Sequence, residues 1–282
     1  MNQSEKYKAT EYLIKYTKLW KLSPSGDSFF TYCSLLQPVI YKGTPAMIKI
    51  PMEAEEQKGS LLMVWWDGNG AAKVLEHDEN ALLLEMISGG DHISLVDMVQ
   101  QNRDNEATSI ICSVAKKLHL IKKDPPLEVT TLERWFSDLW PAAVKYGGII
   151  KECAVIAQDV LANQNDTAVL HGDLHHQNVL YSTTQGWVVI DPKCLIGDRA
   201  FDYANIFCNP DKETALAPGR FMERLEIVCK EANLDTVYLL KWIIAWCGLS
   251  AAWILNEPHE GETPDIDLGV AEIALKFLNE MQ

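Results

Sequence analysis

The 282-residue chain lacks any long apolar run. Its most apolar stretch, residues 243–255, is 13 residues long and contains Gly248 and Ser250. A membrane span needs about 20 apolar residues, so a buried helix is expected there. The first eight residues are polar and mixed in charge, unlike a signal peptide. Cysteine is present but unpatterned. The seven residues are odd in number, scattered from Cys33 to Cys247, and form no C-x-x-C. That fits reduced thiols in a cytoplasmic protein better than a disulfide framework. Positive charge is scarce: 25 Lys and Arg against 39 Asp and Glu leave a net charge of −14. Such a chain repels nucleic acid and anionic membranes, so neither is expected as a partner, while a cationic small molecule suits it. No internal repeat is visible. The apolar share of 48% and charged share of 23% are those of a globular protein.

One stretch carries chemistry. It reads His171-Gly172-Asp173-Leu174-His175-His176-Gln177-Asn178, then an apolar run, then Val188-Val189-Ile190-Asp191-Pro192-Lys193. The phosphoryl-transfer loop H-R-D-x-x-x-x-N has this spacing and is followed by a strand and a metal-binding Asp. Here Gly172 replaces the Arg. On this reading Asp173 orients the acceptor hydroxyl, Asn178 and Asp191 offer hard oxygens to Mg²⁺, and His171 supports the loop by hydrogen bonding. A metal-hydrolase set of His171, Asp173, His175 and His176 would leave Asn178 and Asp191 without a role, and only His259 follows to complete it. A chance β-loop-β unit does not account for the whole combination.

The surrounding pattern agrees with that chemistry. Residues 1–18 read as a helix and 19–22, 33–41 and 46–50 as strands, with a turn at 42–45. Residues 53–66 read as a helix, and 71–76 and 81–85 as strands. Ser88-Gly89-Gly90-Asp91 breaks the pattern, so a boundary is placed between residues 1–88 and 89–282. Helices follow at 94–101, 106–120, 132–146, 149–163, 220–231, 238–255 and 267–282. The expected class is α+β, a two-lobed protein-kinase-like fold. A small β-rich N-lobe and a larger helical C-lobe would have the ligand cleft between them. Lys49, on the strand 46–50, matches the V-A-I-K lysine that pairs nucleotide phosphates. Its carboxylate partner is expected among Glu53, Glu55 and Glu56, with Glu56 preferred. The loop 24–32 has no G-x-G-x-x-G, only Gly26, so phosphates would meet backbone N–H groups there with Ser25, Ser28 or Thr31. Glu85 to Ile87 sits where a backbone hinge would hold adenine.

These residues resemble the aminoglycoside phosphotransferase superfamily, whose H-G-D-x-x-x-x-N and I-D-P signatures match His171 to Asn178 and Ile190-Asp191-Pro192. Softer pieces resemble the streptomycin 6-phosphotransferase and hydroxyurea phosphotransferase group. They include Gly43-Thr44-Pro45-Ala46-Met47-Ile48-Lys49, Trp66-Asp67-Gly68-Asn69-Gly70-Ala71 and Leu249-Ser250-Ala251-Ala252-Trp253. The resemblance implies Asp173 as catalytic base, Asn178 and Asp191 as Mg²⁺ ligands, Lys49 on the phosphates of ATP or GTP, and Asp202 as a support of the catalytic loop. From the residues alone, Asp202 reads as a helix N-cap. The acceptor implied is a hydroxyl of a streptomycin-like antibiotic or of hydroxyurea. A metabolic sugar, choline or amino-alcohol kinase, or a nucleotide-binding protein without turnover, are the alternatives. Carboxylates at Glu257, Glu260, Glu262, Asp265 and Asp267 could face a cationic acceptor. No heptad run or large apolar patch indicates an oligomeric state.

Overall fold

The structure, a computed structural model, describes residues 3–126, 129–258 and 261–281. Its first elements are α1 (Gln3–Leu19), β1 (Ser23–Pro24), β2 (Phe29–Phe30), β3 (Ser34–Tyr41), β4 (Thr44–Pro51), α2 (Ala54–Trp66), β5 (Val74–Asp78) and β6 (Ala81–Glu85). Then follow α3 (Leu95–Gln100), α4 (Asp104–His119), β7 (Thr130–Thr131), α5 (Leu132–Trp135), α6 (Leu139–Tyr146), α7 (Gly148–Ala162) and β8 (Thr167–Leu170). The last are β9 (Val179–Ser182), β10 (Gly186–Val189), β11 (Leu195–Asp198), α8 (Phe201–Ala204), a 3₁₀ turn (Asn205–Cys208), α9 (Lys212–Ala215), α10 (Arg220–Ala232), α11 (Thr236–Asn256) and α12 (Asp265–Glu280). The chain divides into two compact units. The first is Met1–His92, Lys123–Glu128 and Leu180–Cys194; the second is Ile93–Lys122, Val129–Val179 and Leu195–Gln282.

The first unit is built on a hairpin. Lys42 and Gly43 take φ of 50° and 84°, the left-handed pair that closes a two-residue loop. This sets Tyr41 opposite Thr44 and Leu36 opposite Lys49. The sheet order is β1-β3-β4-β6-β5, with β2 also on β3. Strand alternation sends Ala46, Ile48 and Ile50 into one core with Ala9, Leu13 and Tyr16 of α1. It turns Lys49 to the opposite face. The expected strand at 19–22 is not formed. Trp20 N–H still reaches Tyr16 O at 2.9 Å, and Lys21 takes φ 55° while Leu22 N–H reaches Thr17 O at 2.9 Å. That is a helix-ending turn with a left-handed residue, so α1 runs through Leu19 and β1 begins at Ser23.

The boundary expected after residue 88 assigns 180–194 to the second lobe. In the structure this hairpin belongs to the first unit. Ala72 N–H donates to Val189 O, and Val189 N–H to Gly70 O, each at 2.9 Å. Gly59 of α2 lies so close to the Pro192 carbonyl that a Cβ there would collide with it.

In the second unit, α11 is the buried centre, packed on α7 and α12. Among the described residues it is the one helix long and apolar enough to cross a membrane. Its residues Leu239 to Ala252 are largely buried by protein, however, as expected for the run 243–255. Gly248 permits the close approach to Cys153 of α7. The helix expected at 132–146 is interrupted by a 3₁₀ turn at Phe136–Asp138, next to Pro141, which has no N–H to continue the ladder. A small sheet, β7-β11-β8, ends β8 at Leu170. The residues 171–178 are therefore the excursion between β8 and β9.

Gly59→Ala is expected to destabilise the protein by about 1–3 kcal/mol, as overpacking against a fixed carbonyl does. Thermal denaturation monitored by circular dichroism would read this as a lowered Tm.

Candidate active site

Within the first unit, four charges meet on one face of the sheet. The Lys49 ammonium is 2.5 Å from Glu56 Oε2 and also pairs with Asp191. The other oxygen of Glu56, Oε1, accepts from Lys193 Nζ at 2.9 Å. Of the three carboxylates at the start of α2, Glu56 is thus the one that meets Lys49, while Glu53 and Glu55 are exposed. Burial alone would lower the Lys49 pKa, but the carboxylates of Asp191 and Glu56 outweigh it and hold the ammonium charged. Burial also works against the Glu56 charge, yet Lys49 and Lys193 bring its pKa down to about 2. Asp191 has φ 59°, a left-handed position that Asp tolerates. Its side chain is 47% exposed.

Within the second unit, the loop 171–178 is fixed from behind. Gly172 has φ 83°, a backbone only glycine adopts freely, which accounts for its place where an Arg is otherwise expected. The carboxylate of Asp202 on α8 accepts the N–H of His171 at 3.0 Å and of Gly172 at 2.8 Å, and lies 2.8 Å from His119 Nε2 of α4. Burial opposes its charge, but His119, His171 and the Gly172 N–H hold its carboxyl below the usual range. His171 is fully buried and its Nδ1 accepts the Asp173 N–H at 3.2 Å. Asp173 itself remains a third exposed, with His175 Nε2 3.7 Å from Oδ1. Asn178 Nδ2 donates to the Asp173 carbonyl at 2.9 Å and to Oδ2 at 3.3 Å. With its amide nitrogen so used, Asn178 has Oδ1 left to offer. An amide oxygen of this kind is a hard donor, and within the first unit the Asp191 carboxylate is another. Within the first unit the ammonium groups of Lys49 and Lys193 are the charges that suit an anionic ligand, and within the second the part-exposed Asp173 carboxylate is one that can polarise a hydroxyl.

The sequence profile of the aminoglycoside/hydroxyurea antibiotic resistance kinases matches residues 19–257. The chain belongs to this family. Streptomycin 3''-kinase of Klebsiella pneumoniae is 40% identical over 267 residues, covering 92% of this chain and 99% of that protein. Streptomycin 6-kinase of Streptomyces griseus is 26% identical over 271 residues, 91% of this chain and 86% of that one. Among solved structures, choline kinase LicA from Streptococcus pneumoniae superposes with a TM-score of 0.65 at 15% identity, covering 96% and 99% of the two chains. The protein is thus a small-molecule kinase with the α+β kinase-like fold, as the motifs led one to expect.

Seen as a member of this kinase family, the chain keeps some expected residues together and separates others. Asp202 is not an N-cap. It lies inside α8, wholly buried, with its oxygens spent on the loop and His119, so it positions rather than reacts. His171, likewise buried, is also a support. Ser25, Gly26 and Ser28 are exposed; Ser25 N–H and Gly26 O are tied to Pro38 O and Gln37 Nε2. The Glu85 side chain is occupied by Lys73 N–H at 2.9 Å and Gln185 Nε2 at 2.5 Å, so it is a brace of the sheet, and half-buried Ile87 follows the end of β6. In the acidic stretch, Asp265 pairs with Lys212. Asp267 is buried, and burial raises its pKa to about 6. Glu257 and Glu262 are exposed, while Glu260 lies outside the described residues. Sequence reasoning missed Lys193, His119 and Asn205. Of these, only Lys193 had a signal, two residues beyond Asp191.

Glu56→Gln tests the charge cluster. The folded pKa near 2 lies below the ordinary value of 4.5, so the ionised form contributes stability above about pH 4.5. That contribution is lost as pH falls toward 2. Urea denaturation at pH 7 should show a loss on the order of 3 kcal/mol, with the gap to the unmodified protein narrowing as pH drops from 5 to 2.5.

Proposed function

We propose that the protein transfers the γ-phosphate of ATP to the 3''-hydroxyl of streptomycin. The observation that carries the acceptor is the 40% identity to a streptomycin 3''-kinase along 99% of its length, against 26% for a 6-kinase. The resemblance to the streptomycin 6-phosphotransferase and hydroxyurea phosphotransferase group left the position open, and the higher identity favours the 3''-oxygen. Streptomycin is cationic, which agrees with the acidic balance of the chain.

In this reading Asp173 accepts the hydroxyl proton, and the freed oxygen attacks the γ-phosphorus in line as the bond to the β-phosphate oxygen breaks. Lys49 contacts the phosphates and Glu56 fixes its rotamer. Lys193, on the other oxygen of Glu56, keeps the cluster cationic once Asp191 turns to its ligand role. Asn178 Oδ1 and Asp191 would hold magnesium, which would supply neutralisation of charge on the phosphates. The backbone of 85–87 meets the adenine, and the loop 24–32 covers the phosphates through N–H groups. His171 and Asp202 hold Asp173 in place. The protein works in the cytoplasm, where its seven free thiols stay reduced, without nucleic-acid or membrane partners.

The test is a coupled ADP-release assay against streptomycin, other aminoglycosides, hydroxyurea and choline, with the product's phosphate located by NMR. Turnover of streptomycin alone, with phosphate on the 3''-oxygen, is expected. Asp173→Ala should abolish transfer while ATP still raises the Tm. Undiminished turnover in that variant, or activity on choline alone, would sink the reading.

A further inference from the structure

We infer that Asn205 is a positioning residue for the Asp173 carboxylate, and that Asn209 determines which end of the Asn205 amide faces it. The inference rests on the reading of Asp173 as the base and adds a residue to it.

The two oxygens of Asp173 each receive an amide N–H. Asn178 Nδ2 supplies Oδ2, from the same loop. Asn205 Nδ2 supplies Oδ1 at 2.9 Å, from the 3₁₀ turn that follows α8. The shorter contact is therefore the one from outside the loop. Asn205 is almost wholly buried. An amide has one donor end and one acceptor end, and the carboxylate, which only accepts, calls for the donor end. Asn209 fixes that orientation from the other end: its Nδ2 donates to Asn205 Oδ1 at 2.9 Å and to the Asn205 carbonyl at 3.0 Å. With the oxygen end already receiving a donor, the nitrogen end is the one left for Asp173. The reversed amide would set two NH₂ groups against each other and an oxygen against a carboxylate.

The turn that carries these residues is itself tied down. Arg224 of α10 is buried, and its Nη1 donates to Ile206 O at 2.6 Å and Asn209 O at 2.5 Å. Its other nitrogens grip Asp104 in a two-point pair at 3.0 and 3.1 Å. Asp104 Oδ1 lies 3.6 Å from His176 Nε2, two residues after Leu174 on the catalytic loop. The turn bearing Asn205 is thus anchored by the Asp104–Arg224 pair, beside which the ring of His176 of the loop lies buried without a hydrogen bond. Rotation of the Asp173 carboxylate would break the Asn205 bond, and displacement of Asn205 would break the Asn209 and Arg224 bonds. A base held this way meets the acceptor proton in one orientation, which is where positioning contributes to rate.

The experiment compares Asn205→Ala, Asn205→Asp and Asn209→Ala with Asp173→Asn, using streptomycin and ATP. Asn205→Ala removes the donor without adding charge, while Asn205→Asp keeps the size of the side chain and sets a second carboxylate against Asp173. Both Asn205 variants should lose about 10- to 100-fold in kcat, with KM for ATP and streptomycin changed less than about two-fold. Asn209→Ala should lose less. A residue that merely fills space would lower Tm and leave the kcat of the Ala variant near normal; that result overturns the inference. A loss carried by the KM for streptomycin also overturns it, since Asn205 would then bind acceptor. If Asp173→Asn turns over normally, the reading of Asp173 falls instead. One readout needs no acceptor: the Asn205 side-chain amide resonance, assigned by its loss in Asn205→Ala, should move in Asp173→Asn. An unmoved resonance overturns the inference even if streptomycin is not the substrate.

Discussion

A carboxylate with no access to water is costly unless donors replace what the solvent supplied. Asp202 meets that condition with the N–H groups of His171 and Gly172 and the ring of His119. The two backbone donors are the reason the loop has one shape. The left-handed Gly172 turns both N–H groups toward the same carboxylate, and the following residue, Asp173, is thereby aimed outward with a third of its surface exposed. Remove the charge at Asp202 and two buried N–H groups lose their acceptor at once. The part-exposed carboxylate of Asp173 is thus carried on a loop held by a buried one.

The first unit uses the opposite balance. There two ammonium groups, Lys49 and Lys193, divide one carboxylate, Glu56, and Asp191 supplies the second negative charge. The set is neutral as it stands. Drawing Asp191 away toward another ligand leaves two cations on one anion, and a polyphosphate is the kind of ligand that compensates such an excess. A single Lys–Glu pair would leave no surplus. The second lysine therefore makes the net charge of the cluster depend on whether Asp191 is engaged elsewhere, a coupling that follows from charge counting.

Among the described residues, the acidity of the chain does not translate into a ready-made cation site where it is densest. Between α11 and the first turn of α12, Asp265 is already paired with Lys212. Asp267 is buried where its charged form is disfavoured, with a pKa of about 6. Glu257 and Glu262 are solvated. Clustering in sequence sets the local net charge, whereas recognition needs carboxylates that converge in space and lack intramolecular partners. The 40% relative therefore carries the acceptor assignment, and composition only agrees with it.

What was legible in the sequence was what sits within a few residues of itself. The spacing of Asp173 and Asn178, the strand that carries Lys49 and the acidic start of α2 are each one local pattern, and each is present in the fold. The sequence left three carboxylates as candidates, and the structure separates them: Glu56 is buried against Lys49 while Glu53 and Glu55 are exposed. The misread elements failed for the same reason in reverse. Residues 19–22 have strand composition but are claimed by the end of α1, and the hairpin 180–194 joins the first unit through the Gly70 to Ala72 edge, more than a hundred residues earlier in the chain. The supports were illegible. His119 stands 83 positions from Asp202, Lys193 stands 137 from Glu56, and Asn205 stands 32 from Asp173. A reacting carboxylate is recognisable by spacing because the reaction fixes what must surround it along the loop. A donor that orients the carboxylate has to satisfy only a point in space, and the chain can bring an amide to that point from any element that passes near it.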